Sequence, residues 1–375
     1  MSKRKRIFLS PPWVGDEERA AVEKAFDTGY VAPCGPMVDA FERALAELAG
    51  RKYAVAVSSG TAALDLLMEE LGVDASWTVV APTLTFVATV GPAYHRGARL
   101  VFVDCDRTGN VDVALLDRAL ADATRARRRA KGKPASRVLF IGVDLYGRCC
   151  DYDAICEICR KHGAVYVNDS AEAVGSSYRA RPAGSAGLAA VYSFNGNKIV
   201  TTSGGGAIVT DDKGLAERAR KRSQQSREPF PWYQHAEVGY NYRMSNLLAS
   251  VGLAQLAKLP RIRAVRQLIL AHYVQTLSGD RRYSFLTTPH DESNYWLSVV
   301  LTSSRACRDR LLKRFAAADV EVRPVWKPMH LQPVFKGCRT YGGAVAEDLF
   351  ARGLCLPSGT GMSDRDLARV AREMA

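Results

Sequence analysis

No run in this sequence approaches the roughly 18 uninterrupted apolar residues that a membrane-spanning helix needs. Its first residues, Lys3, Arg4, Lys5 and Arg6 among them, form no apolar stretch of the kind that directs export. A cytoplasmic protein with no membrane partner is therefore expected. Acidic residues are in deficit: 39 Asp and Glu stand against 52 Lys and Arg, a formal net charge of +13. Such a surface favours anionic partners, whether nucleic acid, acidic lipid or a phosphorylated metabolite, and the sign alone does not choose among them. Much of the excess sits at Lys3 to Arg6 and in the run RARRRAKGK from Arg125 to Lys133. Neither run has interleaved aromatics, so a single-strand stacking platform lacks support, and a solvated tail and a solvated helix end explain both. Helix-turn-helix, zinc-finger and RNA-binding signatures are missing as well. A basic nucleic-acid-binding regulator remains only as an alternative.

Neither GxxxxGK[ST] nor GxGxxG occurs, which excludes a Walker loop and a dinucleotide fingerprint. The nine cysteines are an odd count, more simply explained by a reducing compartment than by a disulfide framework. Cys156 and Cys159 form a CxxC near Cys149 and Cys150, but no second CxxC or paired His follows at finger spacing. The pair falls in an amphipathic pattern whose buried face takes Ile155, Cys156, Ile158 and Cys159, so no metal is expected. Composition is otherwise ordinary, with 47% hydrophobic and 24% charged residues, which excludes disorder and low complexity. A chain of 375 residues is long enough for two domains.

What the sequence does contain is alternation. Strand-like Tyr53–Ser59 precedes a helical pattern ending at Gly72; Trp77–Pro82 precedes a helical stretch from Phe86 to about His95. Arg99–Asp106, a helix near Val113 to Ala130, Arg137–Gly147, the cysteine helix and Ala164–Ser170 follow. Continuous Val- and Ile-rich strands separated by helices predict a mostly parallel sheet covered on both faces, an α/β fold. Short runs, AAVYSF and GAIVT, come next, then a helix near Ser245 to Leu259. The remainder reads as a smaller mixed domain with strands in Asn294–Thr302 and Val320–Trp326.

Three local features carry chemistry. Lys198 lies in a short polar segment between two apolar runs, followed by Gly204, Gly205 and Gly206. Irregular backbone beside permissive glycines can bring an amine close to a cofactor, although a surface-loop lysine is the simpler account. Asp169 ends the strand AVYVNDS, where open α/β sheets bind ligands; a helix cap is its plainer role. A carboxylate that keeps a pyridine nitrogen protonated, paired with a lysine that forms an imine, is what pyridoxal phosphate requires. Ser59, Gly60 and Thr61 stand where a strand passes into a helix, either an anion site or an ordinary cap.

Together these features resemble fold-type I pyridoxal phosphate enzymes, and more closely the DegT/DnrJ/StrS family of sugar aminotransferases. PTLTFVATVGPAYHRGARLVFVDCD, NDSAEAVGSSY, SFNGNKIVTTSGGGAIVT, GYNYRMSNLLASVGLAQL and RPVWKPMHLQPVF look like family blocks in the family's order. The resemblance implies a large cofactor domain over 1–255, with an N-terminal arm and a mostly parallel seven-stranded sheet between helices, and a small mixed α/β domain over 256–375. Position by position it makes Lys198 the covalent cofactor lysine and the acid/base, and Asp169 the partner of the ring nitrogen. It stacks Phe86 on the ring, although an aromatic in a helical pattern is by default a core residue. Gly60, Thr61 and Ser193, with Ser59 beside them, hold the phosphate. Glu172 stands where many relatives have Gln beside the cofactor hydroxyl. Asn241 or Arg243 reaches the phosphate of a neighbouring subunit, which implies a homodimer with shared sites. Trp326, Lys327 and His330 resemble a sugar-nucleotide loop, each equally well a solvated loop residue.

The branch resembled most is that of the UDP-bacillosamine-pathway enzymes, which aminate UDP-linked 4-keto-6-deoxy sugars for surface-glycan or polysaccharide biosynthesis. Glutamate is then the donor, and pyridoxamine phosphate the form that carries the amine between two half-reactions. A sugar 3-dehydratase of the same fold is the enzymatic alternative; those relatives carry histidine in place of the lysine, so Lys198 argues against it.

Overall fold

A computed structural model of the chain describes residues 5–129, 137–287 and 291–375. Lys3, Arg4 and the end of the Arg125–Lys133 run lie outside the described residues. Helices α1 (Asp16–Asp27) and α2 (Pro36–Ala49) open the chain. Alternation follows as predicted: β1 (Tyr53–Val57), α3 (Gly60–Glu70), β2 (Thr78–Pro82), α4 (Gly91–His95), β3 (Arg99–Val103), α5 (Val113–Arg129), β4 (Val138–Val143), α6 (Tyr152–His162) and β5 (Val165–Asp169). Next come β6 (Ser177–Tyr178), β7 (Arg181–Pro182), β8 (Ala189–Ser193), β9 (Gly206–Thr210) and α7 (Lys213–Ser223). The long α8 (Asn246–Thr276) leads to β10 (Tyr283–Phe285), β11 (Asp291–Glu292), β12 (Ser298–Thr302), α9 (Arg305–Ala317), β13 (Arg323–Pro324), β14 (Arg339–Tyr341), α10 (Ala344–Arg352), β15 (Gly353–Leu356) and α11 (Asp364–Met374).

The central sheet has the order β1-β9-β8-β5-β4-β2-β3-β14. Seven of its strands are those the sequence predicts; the eighth, β14, adds a parallel edge from the C-terminal third of the chain. Strands β8, β5, β4, β2 and β3 are parallel neighbours, and β9 runs antiparallel to both β1 and β8. Two antiparallel steps return β1 to the common direction, so the carboxyl ends of seven strands, all but β9, share one rim. Residues such as Val80, Phe140, Ile141 and Val167 are fully buried, as strands covered by helices on both faces require.

A second sheet, β10-β12-β15-β13, is antiparallel and packs with α9 and α11 around Phe315, Leu354 and Val370. Ile7 joins this core from the other end of the chain by bridging to Val320. Helix α8 runs without interruption through position 255, so one helix serves both packing units. Its first residue also caps another helix. The Asn246 side chain accepts the Met37 and Val38 N–H groups at 2.9 and 3.3 Å and donates to Tyr30 O, supplying the cap that Gly35 has no side chain to make.

Three local expectations are corrected. The helical stretch from Phe86 to His95 is a single 3-10 turn (Val87–Thr89) followed by α4, with Gly91 and Pro92 opening the second piece. Phe86 precedes the turn in extended backbone and is 60% exposed, so it is not a core aromatic. The helix expected to stop at Leu259 continues past Pro260, because Ile262, Arg266, Ile269 and Tyr273 bury one continuous face that outweighs one missing N–H. Strand β12 begins only at Ser298, since the Asn294 side chain donates to Glu172 O and Val174 O and accepts from Trp296 N, holding this stretch as a loop.

One buried carboxylate fastens the C-terminal part to the central sheet. Asp104, just after β3, accepts Gly343 N (2.6 Å), Val345 N (3.0 Å), Ala346 N (2.9 Å) and Cys105 N (2.9 Å), capping α10 from outside. Asp104→Ala leaves these N–H groups unpaired and is expected to lower unfolding free energy by about 2–4 kcal/mol in a denaturant titration.

Candidate active site

The loops leaving β1 and β8 start side by side, because Val57 and Ser193 both pair with Gly206 of the intervening β9. Gly206 has no alternative there: a Cβ would lie 2.4 Å from the Gly60 nitrogen. Ser59 caps α3, its hydroxyl accepting from Ala62 N at 2.9 Å. The Gly60 and Thr61 N–H groups occupy the first turn, where no intrahelical acceptor exists. Ser193 stands against them, within 3.1 Å of where a Gly60 Cβ would be. Cap and anion cradle are thus compatible roles for one strand-to-helix junction.

Asp169 ends β5 with 6% exposure. It caps no helix; Oδ1 accepts Ala171 N at 3.1 Å and Oδ2 accepts the Thr89 hydroxyl at 2.7 Å. Burial raises its pKa, opposed by the Thr89 and Ala171 bonds and by the charge of Lys198. A cation placed against Oδ1 or Oδ2 would reverse the burial effect, which suits a protonated ring nitrogen. Thr89 was not singled out from the sequence; its only signal is its place in the same LTFVAT block as Phe86.

Lys198 emerges from the turn between β8 and β9, and its Nζ lies 3.6 Å from Glu172 Oε1 and 4.2 Å from the centre of the Trp296 ring. Glu172 also accepts Tyr146 N at 2.7 Å and faces Trp326 Nε1 at 3.4 Å. Tyr146 turns its N–H toward Glu172 from a left-handed conformation, φ 54°. Trp296 carried no sequence signal, lying in a strand-like apolar run.

Of the loop residues, Trp326 is brought to Glu172, whereas Lys327 is exposed. His330 has both ring nitrogens engaged, Nδ1 with Thr83 Oγ1 at 2.6 Å and Nε2 with Glu347 at 3.1 Å. It therefore ties this loop to the end of β2. Arg243 is buried and pairs with Glu42 and the Ala56 carbonyl, while Asn241 is exposed on the preceding segment. Between those two residues, the exposed one is free to reach outward.

Pyridoxal phosphate asks for an anion cradle, a carboxylate for its ring nitrogen, an amine for its aldehyde carbon and a flat surface for its ring. The α3 junction with Ser193, the buried Asp169, the Lys198 amine and the exposed Phe86 fit these needs. Among the described residues no group of three His, Cys, Asp or Glu side chains could hold a metal ion. Beneath the site, Asp144 is fully buried and accepts from Tyr152 OH, Asn168 Nδ2 and Ser170 OH, each at 2.7 Å, and from Cys150 N at 3.0 Å. It thereby holds both neighbours of Asp169, and burial pushes its pKa up to about 6.

The profile of the DegT/DnrJ/EryC1/StrS aminotransferase family matches residues 12–375. EpsN of Bacillus subtilis (strain 168), provisionally named a pyridoxal phosphate-dependent aminotransferase, is 39% identical over 372 residues, spanning 98% of this chain and 94% of its own. A GDP-perosamine synthase of Caulobacter vibrioides is 35% identical over 379 residues, spanning 99% and 98%. The crystal structure of the aminotransferase TlmJ from Streptoalloteichus hindustanus superposes with a TM-score of 0.88 at 30% identity, covering 98% of this chain and 97% of that one.

A carboxyl whose pKa is raised by folding stabilises the fold fully below its unfolded value of about 3.8 and loses that contribution as pH rises through about 6. The stability difference between the parent and Asp144→Asn, measured by urea unfolding without added cofactor, is therefore expected to shrink between pH 4 and pH 6 and to level off above.

Proposed function

We propose that this chain, which belongs to the DegT/DnrJ/EryC1/StrS aminotransferase family and is a pyridoxal phosphate-dependent sugar aminotransferase, moves the amino group of glutamate to the C4 ketone of a nucleotide-linked 4-keto-6-deoxy sugar. The observation that carries this reading is the meeting of Lys198, Glu172 and Asp169 with the start of α3 on one rim of the sheet. When bound, pyridoxal phosphate supplies the electron sink that allows a carbon–nitrogen bond to be made at one carbon and broken at another. Lys198 Nζ holds the aldehyde carbon and, once released, takes up and returns a proton at the substrate carbon. Asp169 keeps the ring nitrogen protonated. Gly60, Thr61 and Ser193 receive the phosphate, and Phe86 covers one ring face.

Both half-reactions use the same lysine, so donor and acceptor occupy the site in turn. A cavity of about 640 Å³, lined by Phe8, Pro11, Asn197, Trp296, Arg323 and Trp326 among others, adjoins the lysine turn and supports room for a sugar nucleotide. We read the carrier as UDP. The name of the Caulobacter relative favours GDP as a second reading. Tyr233 and Val238 are 81% and 89% exposed just before Asn241, which supports a second copy covering this segment in a homodimer with shared sites.

The test supplies purified protein with pyridoxal phosphate, glutamate, and a UDP- or GDP-linked 4-keto-6-deoxy sugar. The visible cofactor absorbance is expected to fall on adding glutamate alone, with 2-oxoglutarate released before any sugar is present, and one carrier to be aminated. Lys198→Ala is expected to show neither step. A requirement for sugar before 2-oxoglutarate appears overturns the scheme. Mixing Lys198→Ala with Asn241→Ala chains is expected to restore about a quarter of parent activity, since half of random dimers carry one complete site of two; no recovery overturns shared sites.

A further inference from the structure

We propose that Arg266 is a positioning residue for Lys198, acting through Ser10 and Trp296 on the peptide carbonyl that precedes the lysine. The inference rests on the aminotransferase reading above.

Arg266 sits about two thirds of the way along α8 and is 2% exposed. Its partners are two hydroxyls and a carbonyl: Nε donates to Thr360 Oγ1 at 3.2 Å, Nη1 to Trp296 O at 2.6 Å, and both Nη1 and Nη2 to Ser10 Oγ at 3.2 Å. No carboxylate is among them. A guanidinium out of water without a counter-charge is costly, and burial pulls its pKa down to about 9. An aliphatic side chain of similar length would fill the same volume without that cost. What the guanidinium adds is a fixed fork that ties three distant segments to one point: the N-terminal arm at Ser10, the loop before β12 at Trp296, and the turn after β15 at Thr360.

Two of those three then converge again. Ser10 Oγ donates to Asn197 O at 2.9 Å, and Trp296 Nε1 donates to the same oxygen at 2.7 Å. Asn197 immediately precedes Lys198, and the Trp296 ring is the surface on which Lys198 Nζ rests. The cation therefore fixes both the backbone from which the lysine side chain leaves and the face against which it ends. Ser10 accepts from two guanidinium N–H groups while donating onward, an arrangement in which each bond polarises the next. Displacement of a reacting group by about 1 Å is enough to cost a large factor in rate.

The test removes cofactor from the purified protein, adds pyridoxal phosphate back, and follows the rate at which visible absorbance appears. Borohydride trapping and mass spectrometry then report the fraction of Lys198 that carries the cofactor. Arg266→Met is expected to slow this rate about tenfold. The double variant Ser10→Ala with Trp296→Phe removes both donors to Asn197 O while keeping an aromatic ring, and is expected to slow it equally. Combining all three changes adds little further if they act along one path. Arg266→Lys, which keeps the charge but not the fork, recovers part of the rate.

Variants of lower melting temperature that still match the parent rate overturn the proposal, as do effects that multiply when combined. Where Arg266→Met does not fold, the Ser10 and Trp296 double variant decides by the same rate. A parent chain that takes up no cofactor removes the premise and the proposal together; a parent that does, with variants that match it, removes the proposal alone.

Discussion

A carboxylate taken out of water at the end of β5 is the constraint around which this site is built. Asp169 is stabilised where it stands by one hydroxyl and one N–H, both on irregular backbone that must itself be held. Thr89 lies 2.7 Å from Thr85, which follows Thr83 in the same segment, and Thr83 contacts His330 through side chain and backbone alike. His330 in turn meets Glu347 on α10, the helix that Asp104 caps from the end of β3. Hydrogen bonds, joined by the short stretch of chain from Thr85 to Thr83, thus connect the buried carboxylate, across the rim, to the element that ties the C-terminal part to the sheet. On the other side Asp144 restrains Asn168 and Ser170, so the strand end is clamped on both flanks.

The lysine is held by a different set of parts. Its turn is short and glycine-bordered, and its position is fixed by contacts from far along the chain: Glu172 from the loop after β5, Trp296 from the loop before β12, and Ser10 from the N-terminal arm. Trp326 closes the group by packing on Tyr146, ring centroids 5.1 Å apart, while its backbone N–H reaches the Tyr146 hydroxyl at 2.9 Å. Carboxylate and amine are therefore presented to the same space by two frameworks that share few residues.

How much of this was legible in the sequence depends on distance along the chain. Strands β1 to β5, β8 and β9 read directly from continuous apolar runs, and Lys198, Asp169 and Ser59 stand out because each occupies a junction that local pattern exposes. Thr89 and Trp296 do not, because a threonine in an apolar block and a tryptophan in a strand-like run look like packing residues until tertiary contacts give them partners. Arg266, in PRIRAVRQ, resembles a solvated helix face, and only the burial of α8 shows otherwise. The continuation past Pro260 was hidden by the same fact: local chemistry signals a stop, and long-range burial overrules it. Phe86 differs in the opposite direction: its helical spacing suggests a core residue, but it stands in extended backbone before the 3-10 turn and is left exposed.

Helix α8 also has a mechanical meaning. At 31 residues it is a rod of about 46 Å, clamped at one end by Asn246 against α2 and embedded at the other, through Ile269 and Tyr273, in the smaller core. The C-terminal sheet is thereby mounted on a beam rather than hung from a flexible strap. Any rocking of one unit against the other must bend that beam, and its one place of reduced stiffness is the turn where Pro260 donates no hydrogen bond. Arg266 lies less than two turns beyond that place, so flexing there would be felt first by the side chain that reaches toward the lysine.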